Sequence, residues 1–285
     1  MAEEIATAEA AMKVTVVVDN LSPEGLYAEH GLSFLIETDY GSILFDTGQG
    51  DKWIQNLRVL GKDPSALTAI ALSHGHYDHT GGVPFASEWI DSMKCYAHPD
   101  AFRPKYVADS ERMRFIGMPD DSLAYQSRFT LNASPLEVMP GVIVSGYVPI
   151  RDKSAITVHD RFFLDDQRQE PDTFRDEQCL VLRDSGSVGV LLGCSHRGVQ
   201  NNILAAMDVA QTDHLEWVAG GMHLASATTE QLEDLCSFLA DRDIGRIICC
   251  HCTGDAAFAY LREHLGDKVV QGHVGMEWSL PESNA

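Results

Sequence analysis

The ten residues Ser73-His74-Gly75-His76-Tyr77-Asp78-His79-Thr80-Gly81-Gly82 constrain this chain more than any other stretch. Three imidazoles and a carboxylate fall within six residues, directly after an apolar, strand-like run at 67–72. Side chains of this chemistry suit zinc, iron or manganese, and a loop leaving a strand can turn them into one cleft where a helix could not. Spacing divides the set. His74 and His76, two apart, are placed to share one ion, while Asp78 and the adjacent His79 turn toward a second; Gly75, Gly81 and Gly82 free the backbone for that bend. The stretch reads as half of a two-metal site.

The rest of the chain shows what could carry such a loop. Runs at 14–18, 32–36 and 43–45 are β-branched or aromatic and separated by turn formers, so they read as strands of a mixed or antiparallel sheet. Residues 52–60 place Trp53, Leu57 and Leu60 on one helical face, with Gly61 as a stop, and 84–91 is expected to form the helix after the His-rich loop. Strand-like 178–183, 188–192, 215–219 and 244–249 then alternate with helical 199–209, 228–240 and 256–265. A strand, a polar loop and a helix in repeated order set functional groups along one rim of a sheet. Two such halves packed face to face make an α/β fold, a four-layer αββα sandwich. No close internal repeat is visible, so the duplication rests on pattern. Residues 1–11 read as a frayed tail and 12–285 as a single domain. Within it, 96–175, richer in Pro, Asp and Arg, reads as an inserted lid or substrate-binding segment, whose strand-like pieces at 142–144 and 156–164 either extend a sheet or cross above the site.

Composition narrows the function. Across 285 residues, 42 acidic against 21 basic side chains leave a formal charge of −21, which repels a phosphate backbone and also keeps a protein soluble. A small-molecule substrate, not a nucleic acid, is expected. Seven scattered cysteines, an odd number, do not form a disulfide framework and suit a reducing cytosol. The acidic, Ala-rich start is unlike an export signal and no run reaches the length of a membrane span, so the expected location is cytoplasmic, away from membranes.

The pattern H-x-H-x-D-H after a strand resembles the signature of the metallo-β-lactamase superfamily, and the resemblance covers nearly the whole chain. Asn20, His30-Gly31-Leu32-Ser33, the 43–48 strand end, Gly193-Cys194-Ser195-His196, the 220–224 motif and His251-Cys252-Thr253-Gly254 resemble one branch. That branch holds metal-dependent hydrolases similar to 7,8-dihydropterin-6-methyl-4-(β-D-ribofuranosyl)aminobenzene-5′-phosphate synthase. The resemblance implies the αββα fold and two divalent ions, most readily zinc, with manganese or iron as alternatives. His196 and His251, each following a strand, match the branch's motifs at its active-site rim and are expected ligands; His223 is a substrate contact, a supporting residue or a ligand. Where many relatives carry a bridging Asp, this chain has Cys194. Either its thiolate ligates, or it packs as a small apolar residue and Asp176, slightly favoured, or Glu177 supplies the oxygen. Asp46 resembles an Asp that braces the metal loop. His30, Asn20 and Arg197 are substrate contacts or solvated loop residues, and Arg197 with the N–H groups of 193–198 is a candidate phosphate holder. His98, His159, His214, His264 and His273 have no supporting context and are read as structural, and the cysteines around His251 lack a partner pair for a zinc knuckle.

Such a site makes hydrolysis the default chemistry: Asp78 ligates and orients the attacking water, and His223 stabilises charge or protonates the leaving group. The substrate is a small phosphoester, lactone or amide. The synthase resemblance implies an alternative, a transferase releasing pyrophosphate, and an iron-dependent redox protein is a third.

Overall fold

The computed structural model describes residues 12–109, 112–156 and 161–280. The expected tail at 1–11, His159 and the centre of the 156–164 piece lie outside the described residues. Two seven-stranded mixed sheets dominate. The first runs in the order Glu277–Leu280, Met12–Val18, Ser33–Thr38, Gly41–Phe45, Leu67–Ala71, Lys94–Ala97, Phe129–Leu131. The second runs Val269–Gln271, Asp243–Cys250, His214–Gly221, Ser187–Leu192, Leu180–Asp184, Val142–Val144, Leu136–Met139. In each, hairpin-linked antiparallel strands adjoin parallel ones: Gly41–Phe45 pairs in parallel with Leu67–Ala71, and Ser187–Leu192 with His214–Gly221.

Apolar side chains on both faces explain the layering, because a sheet buried on two sides needs cover on two sides. The inner faces pack Phe34, Phe45, Leu191, Trp217 and Trp278 between the sheets, the two indoles meeting edge-on at 5.5 Å. Truncating a side chain such as the fully buried Trp217 costs about 3–5 kcal/mol. Gly189, its partner on the neighbouring strand, makes room for it: a Cβ there would lie 2.3 Å from the indole. Outside the second sheet lie helices Val199–Ala210, Thr229–Ala240 and Asp255–Leu265; outside the first lies Lys52–Val59. The result is the αββα sandwich.

The helix expected at 84–91 is a short 3₁₀ segment, Val83–Ala86, followed by turns. Phe85 and Ser87 bond back three residues and only Ile90 bonds back four, to Ala86; Val83, Ala86 and Ile90 still face the core, so the apolar spacing persists without a continuous α-helical ladder. The 96–175 segment divides among all three sheets. Phe129–Leu131 edges the first, Leu136–Met139 and Val142–Val144 edge the second, and Tyr106–Ala108, Met113–Phe115 and Phe162–Phe163 make a small antiparallel sheet of their own. Among the described residues no helix is long and apolar enough to cross a membrane.

Candidate metal centre

The expected site residues sit where strands end. Asp46 follows Gly41–Phe45, the loop 73–80 follows Leu67–Ala71, Cys194 and His196 follow Ser187–Leu192, His223 follows His214–Gly221, and His251 follows Asp243–Cys250. All converge on one rim of the sandwich, the place where open α/β sheets put their ligands. The loop is held tightly. Trp53 donates to the Gly82 carbonyl at 3.1 Å, and a Cβ on Gly75 would lie 2.0 Å from the Ala101 carbonyl oxygen, so no larger residue fits there.

Hydrogen bonds settle which imidazole nitrogens face inward. Asp46 accepts from the Ser73 amide and hydroxyl, both at 2.7 Å. With the hydroxyl proton so used, Ser73 Oγ accepts from His74 Nδ1 at 2.8 Å, which leaves the His74 Nε2 lone pair pointing at His76 Nδ1, 3.1 Å away. His196 Nε2 lies 3.1 Å from that same His76 Nδ1. One proton on His76 Nδ1 can serve only one of its two neighbours. The outer nitrogens, His76 Nε2 and His196 Nδ1, are buried without a partner among the described residues. Burial drives all three rings toward neutrality, pushing His76 down to about 3 and His74 and His196 well below the usual imidazole range. Three neutral imidazoles thus aim nitrogens at a common point. Tetrahedral coordination at about 2.0–2.1 Å sets neighbouring nitrogens roughly 3.3 Å apart, so this cluster fits a zinc-like cation.

A second cluster adjoins it. His79 donates from Nδ1 to Asp46 at 2.7 Å and turns Nε2 to the Cys194 sulfur, 3.1 Å away. His251 Nδ1 is paired with Asn20 Oδ1 at 2.9 Å and its Nε2 lies 3.3 Å from Asp78 Oδ2, beside His30 Nε2 at 3.2 Å. Asn20, expected at the substrate, instead orients His251. Burial opposes charge on both His79 and Asp78; yet Asp46 and Asp78 raise His79 to about 9, and His79, His251 and His30 hold Asp78 well below the usual carboxylate range. Cys194 belongs to both clusters: its sulfur lies within 4.8 Å of His74 and His196 on one side and of His79 and His251 on the other. Burial raises its thiol well above the usual value, so the sulfur reaches thiolate form when a cation compensates it.

Three expectations find a different placement. Asp176, favoured as the missing oxygen ligand, is fully committed below the loop: one oxygen accepts the Gly75 amide at 2.8 Å and the other the Lys105 ammonium at 3.0 Å. Glu177 accepts from the amides of His196 and Arg197 and from Asn202. An internal carboxylate therefore fills the anion cradle that the 193–198 backbone was expected to offer a phosphate. Arg197 is buried and donates to the Val148 and Thr173 carbonyls and the Tyr147 hydroxyl, while its guanidinium stacks on the Tyr147 ring at 4.6 Å. His223 does reach the site, its ring centre 4.5 Å from that of His196, and burial lowers it to about 4.

A cavity of about 470 Å³ opens onto His76, Asp78, His196, His223 and His251, roofed by Phe162 of the small sheet. Residues 26–173 match the Metallo-beta-lactamase superfamily. The chain belongs to that superfamily. It is 30% identical, over 92% of its length and 98% of the relative's, to an uncharacterised protein of Methanocaldococcus jannaschii. It is 28% identical, over 87% of its length and 89% of the relative's, to the 7,8-dihydropterin-6-methyl-4-(beta-D-ribofuranosyl)-aminobenzene-5'-phosphate synthase of the same organism. The crystal structure of Tm1679, a metal-dependent hydrolase of the beta-lactamase superfamily, superposes with a TM-score of 0.80 at 28% identity, covering 93% of this chain and 98% of that one.

Sequence reading missed two features of this superfamily member. Asp46, Ser195, His223 and His251 all adopt left-handed backbone (φ 62°, 62°, 46° and 48°), which costs non-glycine residues about 1–3 kcal/mol each and clusters at functional sites. Lys105, an isolated lysine in a polar stretch, is buried between Asp172 and Asp176. Neither leaves a local pattern.

Proposed function

We propose that the chain is a metal-dependent hydrolase acting on a small-molecule phosphoester, lactone or amide. Two divalent ions, zinc first, would be held by His74, His76 and His196 on one side and by Asp78, His79 and His251 on the other, with Cys194 between them. Bound there, such ions polarise a carbonyl or phosphoryl oxygen and bring the pKa of a water toward about 7. Asp78 Oδ2, between His30 and His251, accepts a hydrogen bond from the attacking water and aims it. His223, neutral at pH 7, offers an N–H to the leaving group. Phe162 and Phe174, the latter stacked on His196 at 4.4 Å, keep bulk water from the reacting groups.

The observation that carries this reading is the meeting of three neutral imidazoles beneath an open cavity, with His76 Nδ1 3.1 Å from both His74 Nε2 and His196 Nε2. Seven unpaired cysteines support a reducing cytosol as its location. The test is a panel of phosphodiester, phosphomonoester and lactone substrates, with chelation and add-back of zinc, manganese or iron and products followed in ¹⁸O-water. Metal-dependent turnover with ¹⁸O in the product supports the reading; turnover that survives chelation overturns it. Likeness to the named synthase over 87% of the chain favours transfer as a second reading, in which pyrophosphate leaves and an arylamine attacks carbon. Product analysis separates the two.

A further inference from the structure

The cavity above the ligand cluster has a cationic side that the imidazoles do not supply. Arg114, on strand Met113–Phe115, and Arg161, just before Phe162–Phe163, both line it from the small sheet. In a chain of net charge −21 this is unexpected company: among the described residues lining the cavity the only carboxylate is Asp78, which belongs to the ligand cluster. Arg114 lies beside Tyr77, and Arg161 lies 5.6 Å from the centre of the Phe162 ring. Asp109 pairs ionically with both, 3.9 Å from Arg114 Nε and 3.8 Å from Arg161 Nη2, leaving two guanidiniums against one carboxylate, and at these distances neither contact is a hydrogen bond, so their N–H donors stay open to a ligand. Their side chains are 50% and 55% exposed. Val107, Ile116 and Phe162 line the same cavity as an apolar strip: Val107 pairs across the small sheet with both Arg114 and Phe162, and the Phe162 ring centre lies 6.1 Å from that of His76.

On the reading of this cavity as the substrate site, we propose that Arg114 and Arg161 clamp a non-reacting oxyanion of the substrate. The substrate class is then a small molecule with three parts: a phosphate or carboxylate at the arginines, an apolar or aromatic body on Val107, Ile116 and Phe162, and the reacting bond at the ligand cluster. Guanidinium forks match such oxyanions in two parallel hydrogen bonds, and a half-open cleft weakens the attraction less than bulk water does. These arginines set specificity and leave the chemistry to the imidazole cluster.

The experiment titrates wild type and R114Q/R161Q, each metal-loaded and chelated, with phenyl phosphate, phenylacetate and benzyl alcohol by calorimetry. The double variant is expected to weaken phenyl phosphate binding by roughly tenfold or more in both forms, since hydrogen bonds between charged partners are the stronger kind. Benzyl alcohol affinity and metal content stay unchanged; phenylacetate shows whether a carboxylate serves as well as a phosphate. Equal phenyl phosphate affinity in the two chelated proteins overturns the proposal, as does wild-type binding that vanishes on chelation. If the double variant fails to fold, R161Q alone answers the same question. If wild type hydrolyses none of the panel while the variant still loses phenyl phosphate, the clamp stands and the hydrolase reading falls.

Discussion

Replacing Lys105 by Met removes the cation from a buried triad. Lys105 Nζ lies 3.0 Å from Asp176 and 3.1 Å from Asp172, and all three side chains are at most 3% exposed. At an effective dielectric of about 20 each contact is worth about 5 kcal/mol of gross attraction, most of it offset by desolvation. What remains after the lysine goes is two buried carboxylates with no counter-charge, a net loss of about 3–5 kcal/mol. For a domain of this size that lowers Tm by roughly 6–20 °C. Burial already raises Asp172 and works against Asp176, which the Lys105 ammonium holds down; without it both carboxyls rise above their unfolded values. A raised folded pKa stabilises below the unfolded value and loses that stability as pH climbs through it, so the K105M deficit is greatest above neutrality and shrinks toward pH 5. Urea unfolding of chelated wild type and K105M at several pH values measures this without metal linkage. A deficit under about 1 kcal/mol at pH 7, or one that does not change with pH, refutes the reasoning.

Two further outcomes follow from the bracing contacts. D46N puts an amide where the His79 and Ser73 protons need an acceptor, so metal affinity falls about 10–100-fold while the protein stays folded, measured by competition with a chromogenic chelator. R197M strips acceptors at Val148, Thr173 and Tyr147 of their partner, and is expected to lower stability by roughly 3 kcal/mol while KM changes less than about twofold; a large KM effect with unchanged stability would restore the substrate role.

Much of this was legible before any coordinates. Apolar, β-branched or aromatic runs between turn formers marked the strands that hold the loop, and the spacing of His74, His76, Asp78 and His79 marked the loop itself, because both are local in the chain. Partners of the ligands were not legible. Asp176 and Glu177 are adjacent acidic residues with no pattern to say which is free to supply an oxygen, and both are engaged elsewhere, Asp176 by a lysine seventy-one residues away and Glu177 by amides near position 196. The 84–91 stretch failed for a related reason. Its apolar spacing suits α-helix and 3₁₀ turn alike, and the packing chose the latter.

The most direct measurement is anomalous diffraction from crystals of the protein loaded with zinc. The account predicts two peaks flanking the Cys194 sulfur, one among His74, His76 and His196 and the other among Asp78, His79 and His251. Density for no cation, or for one bound away from these imidazoles, would contradict it.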